Sequence, residues 1–176
     1  MAAILVATVF ALHSEGRLWI CSCGQFLIWS GQVCSANNSQ HFLDPYSFTH
    51  VLHGFLYLWL LALLAPQMAP RWQFWCAVTL ACLWEVFENS AFIINRYRTE
   101  TAALGYQGDT VVNSVGDILC CAIGFVVARR FGLRRSLIVF VCLEVVLLVW
   151  IRDSLILEIL MLLHPVNVLK AWQMCR

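Results

Sequence analysis

Four stretches of this chain, 46–65, 71–94, 110–130 and 136–160, are each about as apolar as a lipid tail and each about twenty residues or more long. Crossing ~30 Å of hydrocarbon takes about 20 helical residues, because a helix rises ~1.5 Å per residue and satisfies its own backbone. Composition agrees: only 12% of the 176 residues are charged and the mean hydropathy is +0.78. A soluble domain carries ~25% charged residues, so this chain has too few to cover a water-facing surface. The sequence therefore predicts an all-α, polytopic transmembrane bundle with four firm spans, forming one membrane domain over residues 1–176. A fifth, shorter candidate covers residues 1–12. As a helix that segment reaches only about 18 Å.

Local signals place the ends. Asp44-Pro45 reads as a helix cap followed by proline, Pro66 stops the first run, and Asp109 reads as a cap for the third. The loop Arg129-Arg130-Phe131-Gly132-Leu133-Arg134-Arg135 holds four arginines in seven residues. Positive loops stay cytoplasmic. That puts residues 13–44, the 95–108 loop and the C-terminus outside, against the pull of Arg96 and Arg98.

A net charge of +1, with no phosphate-cradling glycine loop, gives no sign of nucleic acid or nucleotide binding. Membrane lipids are the expected partners; protein partners are not indicated. Cys76, Cys82, Cys120, Cys121 and Cys142 lie in apolar runs and read as small hydrophobes. Cys21, Cys23, Cys34 and Cys175 lie outside them. The first three with His41 could make a zinc site, or Cys34 could pair with Cys21 or Cys23 in a disulfide.

The chemistry-bearing residues interrupt the apolar runs. His50 and His53 come early in the first run, and Glu85, Glu88 and Asn89 late in the second. Asp109, Asn113 and Asp117 come early in the third, and Arg152 and Asp153 late in the fourth. If the helices alternate, most fall within ~15 Å of one membrane face. Residues three or four apart share a helix face, so each set points one way. An ionised group costs ~2.5–3.5 kcal/mol at a helix centre, so these groups are expected to share an outward-opening polar pocket. Gly116, Cys120, Gly124 and Ala128 set a small residue every fourth position, spacing that lets two helices approach closely.

Taken singly, each has a plainer reading: interfacial histidines, a helix cap at Asp109, interhelical glue at Asn113, headgroup contacts at Arg96 and Arg98. Taken together they outline an enzyme. A divalent metal would sit on His50, His53 and Glu85 or Glu88, and the remaining carboxylate or Asp109 would be the general base. Arg96 or Arg98 would hold a phosphate headgroup, with Asn89, Asn113 and Asp117 lining the substrate site. The alternatives are a cation- or proton-coupled binding or transport protein, with Glu144 continuing inward, and a non-catalytic assembly factor.

The strings CSCG, NSQHFLDPYSFTHVLHGF, WEVFENSAFIINRYR, TAALGYQGDTVVNSVGDILCCAIGF and IRDSL resemble an uncharacterised bacterial family of multi-pass inner-membrane proteins, from about Leu18 to Pro165. That resemblance implies a bacterial inner-membrane location and no known activity. More loosely, His50 or His53, Glu85, Asn89, Arg98, Asp109, Asn113 and Gly116 follow an order similar to that of VanZ-like membrane proteins, which implies a role at the cell envelope.

Overall fold

The computed structural model describes residues 2–103 and 105–174. Among them there are helices and no strand; a single isolated bridge joins Trp29 to Leu43. The order is α1 (Ala2–Ser14), α2 (Ser47–Leu64), α3 (Pro70–Glu88), α4 (Ala91–Glu100), α5 (Val111–Ile151), α6 (Leu155–Leu163) and α7 (Asn167–Gln173). Cys175 lies outside the described residues.

Helices α2 and α5 are long and apolar enough to cross a membrane, and α3 with α4 makes a third if that bent pair counts as one. The count is therefore two or three where the apolar runs give four. The main reason is that the third and fourth apolar runs meet without a gap in α5, 41 residues made of two helices joined at Gly132. At the rise of an α-helix that is a length of about 60 Å, twice the thickness of a bilayer core. Gly132 breaks it, with φ 70° and ψ 171°. That conformation is outside helical geometry and in the region that favours glycine.

Contacts fix the direction of each arm. Tyr46 meets Asp153, Phe55 meets Phe140, and Trp59 donates to Ser136, so the arm after Gly132 runs antiparallel to α2. The arm before it runs parallel to α2: Gly116 lies against Phe42, and Gly124 against Val51. Helix α3 is antiparallel, with His50 beside Glu85, His53 beside Trp84, and Gln73 donating to the Ala65 carbonyl. Four segments thus alternate in direction. One end of the bundle carries Gln73 and Arg129, hydrogen-bonded at 3.1 Å; the other carries Tyr46, Glu88, Asp109 and Asp153.

Several sequence-derived boundaries move. The run 71–94 is not one helix: α3 stops at Glu88, and α4 leaves at 68° after Ser90, whose hydroxyl accepts from the Ile93 amide at 3.4 Å. The run 136–160 breaks at Arg152, at φ 57°, and restarts as α6 with Ser154 as its cap. Asp44 does not cap α2 directly. It sits three residues before Ser47, accepting from the Tyr46, Ser47 and Ser39 amides. Thr110, not Asp109, caps α5, accepting from the Asn113 amide at 3.2 Å. At α5 a neighbour holds the cap; at α2 Tyr46 makes no side-chain cap bond, and Asp44 binds the amides of the turn that leads into the helix.

The bundle is apolar outside and polar within. Leu63, Leu64, Val149, Leu163 and Val168 are all at least 70% exposed, while Glu85, Asn89, Asn113, Ser114 and Asp117 are buried. This inversion accompanies the two or three helices that are long and apolar enough to cross a membrane. Two apolar clusters hold the segments together, one joining Leu52, Phe55, Ala128, Phe140 and Leu147, the other Val78, Ala81, Cys82, Ile118 and Cys121. Backbone does the rest at the Gly54–Gly124 contact, where a Cβ on Gly54 would lie 2.1 Å from the Cys121 carbonyl oxygen. Cys120 is only half-buried, so Cys121 takes that side of the small-residue stripe.

The segment from Glu15 to Tyr46 caps the polar end. The Leu18 and Trp19 carbonyls accept from the Val111 and Val112 amides at 2.8 and 3.2 Å. These are two of the amides that a helix start leaves without partners. Cys21 and Cys23 are disulfide-bonded to each other, and Cys34 is disulfide-bonded as well. Cys21, Cys23 and His41 do bring one possible donor atom each within 4.8 Å of the others, but as a disulfide the two sulfurs are not the thiolates a zinc site requires.

Candidate functional site

Helix alternation brings separate polar patches to one end. From α2 come His50 and His53; from α3, Glu85 and Glu88; from the approach to α5 and its first turns, Asp109, Asn113 and Asp117. Glu85 and Glu88 are three apart, so both carboxyls leave one face of α3 toward α2 and α5.

His50 sits between two acids. Its Nδ1 is 3.2 Å from Glu85 Oε1 and its Nε2 is 3.9 Å from Asp117 Oδ2. The Glu85 carboxyl has His50, on Oε1, and the Ser114 hydroxyl as its polar neighbours, while Asp117 Oδ1 and both polar atoms of the Asn113 side chain have no hydrogen-bond partner among the described residues, and all three residues are at most 3% exposed. Buried polar atoms are normally paired. Several orphans around one point are a specific departure.

Asn89 closes the α3–α4 break. Its Nδ2 donates to the Glu85 carbonyl at 3.0 Å and to Asp109 Oδ2 at 2.9 Å, while its Oδ1 accepts from the Asp109 amide at 2.7 Å. Asp109 is thereby held from both sides, and Tyr106 donates to its Oδ1 at 2.9 Å. Glu88 receives the Tyr97 hydroxyl on Oε1 at 2.9 Å, leaving Oε2 without a partner.

The enclosed space is about 60 Å³, room for a few water-sized particles. Glu88, Asp109, Asp117, Asp153 and Glu158 line it together with His50 and His53, and no lysine or arginine among the described residues does. A wider cavity of about 760 Å³ adjoins it, lined by Arg17, Gln40, Tyr106, Gln107 and Asp109. Asn38, Tyr106 and Asp109 belong to both walls.

At the loop edge, burial pushes the Asp44 carboxyl up to about 6, against the pull of the amides it accepts from and helped by the nearby Asp109. Burial also raises Asp109, opposed by its bonds from Asn89 and Tyr106. Asp153 rises to about 7 for the same desolvation reason, opposed by the Ser154 amide and Tyr46 hydroxyl.

Among the sequence-derived candidates, the structure gathers His50, Glu85 and Asp117 so that one donor atom of each lies within 4.8 Å of the others. Glu85, Glu88 and Asp109 form a second such group. His53 lines the pocket beside these groups, its ring 5.2 Å from that of His50 and stacked on Tyr57 at 5.9 Å. Arg96 and Arg98 do not line the pocket. Arg96 donates to the Leu162 carbonyl, tying α4 to α6; Arg98 donates to the Tyr106 carbonyl and to Gln107 Oε1, bracing the loop behind Asp109. Glu144 accepts from the Ile156 amide at 3.3 Å and so supports the start of α6 rather than a path inward.

Tyr46, Tyr97, Tyr106 and Glu158 also line the pocket, and the sequence reading misses them. Tyrosines near acids in NRYR and LGYQGD are the available signal, but only the α3–α4 bend turns Tyr97 back toward Glu88.

Residues 12–175 match a family described as "Protein of unknown function (DUF2585)". The chain belongs to this family. It is similar to proteins from Brucella anthropi and Rhizobium meliloti, each 40% identical to it, covering 97% of this chain and 87% and 86% of the relative. A third, from Sphingopyxis alaskensis, is 42% identical over 98% of this chain and 93% of its own length. All three carry the name UPF0314 protein. No solved structure matches. The DUF2585 assignment agrees with the uncharacterised family that the motifs resemble, and it brings no activity; the VanZ-like link is not shown by these matches.

Proposed function

We propose that this protein crosses the bacterial inner membrane several times and binds a divalent cation in its outward-facing pocket, where it modifies a membrane lipid or cell-envelope precursor. Four crossings, with α1 lying against α3 as a short fifth element, follow from treating Gly132 as a hairpin turn between two spans. The arginines flanking that turn put it in the cytoplasm, and the disulfide-bonded cysteines at the opposite end fit an oxidising exterior.

One observation carries the cation reading. His50 and Asp117 line a pocket that no basic side chain among the described residues lines, and Glu85 lies against His50, with one donor atom of each of the three within 4.8 Å of the others. Buried like charges need a proton, a cation or a guanidinium, and no guanidinium among the described residues lines the pocket. One imidazole with two carboxylates suits Zn²⁺ or Mn²⁺. When bound, such an ion supplies Lewis acidity at an ester or phosphoester oxygen. Asp109, shared by pocket and vestibule and oriented by Asn89 and Tyr106, is placed as the general base, with Glu88 beside it. The wall made by Leu155, Ile159 and Leu162 of α6 gives the substrate's apolar part a surface, and the wider cavity takes its headgroup.

Coupled transport is less well supported, because the polar groups stop at one end and Glu144 is engaged locally. Packing alone leaves the orphaned oxygens unexplained. The test is metal analysis of detergent-purified protein after dialysis against Zn²⁺ or Mn²⁺. At least one equivalent is expected, lost in His50→Ala and Asp117→Asn; a folded wild type that retains no metal overturns the reading.

A further inference from the structure

The cation reading uses Glu85 on one side only. Glu85 has two buried oxygens, one of them 3.2 Å from His50 Nδ1, and it belongs to both donor groups. Toward α2 it meets His50 and Asp117. Toward the α3–α4 break it meets Glu88 and Asp109, again with one oxygen of each within 4.8 Å of the others.

The second group is built, not incidental. Glu88 offers Oε2, which no donor reaches, while Tyr97 holds its Oε1. Asp109 has one bond on each oxygen, from Asn89 and from Tyr106. Those bonds fix the carboxylate plane and leave a lone pair free on each oxygen. Groups that hold a metal's ligands in place in this way raise affinity and fix orientation. Asp44, the next carboxylate outward, is not available in the same sense, since it accepts three backbone amides.

Charge gives an independent constraint. Glu88, Asp109, Asp117, Asp153 and Glu158 line the space, Glu85 lies against His50, and no lysine or arginine among the described residues lines it, although Arg17 bears on Asp109 from the wider cavity. With these six carboxyls ionised, one divalent cation balances a third of their charge and two balance two thirds. A carboxylate that reaches both ligand sets is the usual bridge in sites whose two metals lie ~3.5–4 Å apart.

We infer that the pocket binds two divalent cations, one on His50, Glu85 and Asp117 and the other on Glu85, Glu88 and Asp109, with Glu85 shared between them. The inference rests on the cation reading above and deepens it; Asp109 and Glu88 then serve as ligands in place of the general-base role. The His50 position, with its nitrogen donor, is the tighter site for softer ions; the all-carboxylate position takes a harder one.

Manganese distinguishes the cases. Full-length protein in detergent is stripped with a chelator, reloaded with Mn²⁺ and measured by elemental analysis and electron paramagnetic resonance. Wild type is expected to bind two Mn²⁺ per chain, with the six-line signal of isolated ions giving way to a spin-coupled spectrum at full loading. Glu88→Gln retains one Mn²⁺ with an isolated six-line signal. Tyr97→Phe, which keeps all three ligands, weakens only the second binding step, by ~10-fold or more. A wild type that binds one Mn²⁺, unchanged in affinity by Glu88→Gln and Tyr97→Phe, overturns the second site and leaves the first standing. A folded wild type that binds none removes both. Should Glu88→Gln fail to fold, the Tyr97→Phe titration decides alone.

Discussion

Asp153 shows how the polar end responds to pH. Its Oδ1 accepts from the Ser154 amide and the Gln173 side chain, at 2.9 and 2.8 Å, and its Oδ2 lies 3.4 Å from the Tyr46 hydroxyl. Burial holds this carboxyl at about 7, so the folded chain keeps a proton that an unfolded chain releases at about 4. Its contribution is complete below about 4 and is lost as pH rises through about 7. Asparagine keeps the accepting oxygen and never ionises. Asp153→Asn is therefore expected to gain on wild type in thermal unfolding as pH rises, its advantage at pH 8.5 exceeding that at pH 5 by about 2 kcal/mol. An offset that is the same at both pH values refutes this. Asp153 is visible in the sequence as a polar residue near a helix end, but its partners are not, because Tyr46 and Gln173 lie 107 and 20 positions away.

At the level of elements, the meeting of α2 with the first arm of α5 is where the bundle is least tolerant. A Cβ on Gly124 would lie 2.0 Å from the Val51 carbonyl oxygen, and one on Gly54 would lie 2.5 Å from the Phe125 amide nitrogen. Those are backbone atoms, which cannot swing aside, so the helices must separate. Gly54→Ala and Gly124→Ala are each expected to cost about 1–3 kcal/mol. The double variant costs less than the sum, because one separation relieves both clashes. Retention of wild-type stability in detergent by both single variants would show that the contact is loose. The spacing of Gly116, Gly124 and Ala128 makes this face readable from sequence. The breaks at Asn89-Ser90 and at Arg152–Ser154 are harder to see, since hydropathy registers how apolar a run is and not where its axis turns. Serine followed three residues later by a helical amide is the local mark of both restarts, and it is too common a pattern to stand out unaided.

For the whole molecule, alternation is the property on which the pocket depends. His50, Glu85, Asp109, Asp117 and Asp153 converge only because successive segments reverse direction, and their common depth is legible in the sequence for that reason. That Arg96 and Arg98 turn away from the pocket is not legible there, because the direction of α4 is a tertiary outcome of the 68° bend. Membrane topology tests the alternation directly. Truncations fused to green fluorescent protein or to alkaline phosphatase, joined after Gln67, Gly105, Gly132 and Pro165, report which side each junction occupies. Fluorescence is expected after Gln67 and Gly132, and phosphatase activity after Gly105 and Pro165. Replacing the four arginines of the 129–135 turn with glutamine should weaken that pattern if, as proposed, they hold the turn in the cytoplasm. The same sidedness at Gly105, Gly132 and Pro165 would mean that the arms of α5 do not cross separately. The carboxylates of α3 and α5 would then lack a common depth in the bilayer, and a cation pocket facing the exterior would lose its physical basis.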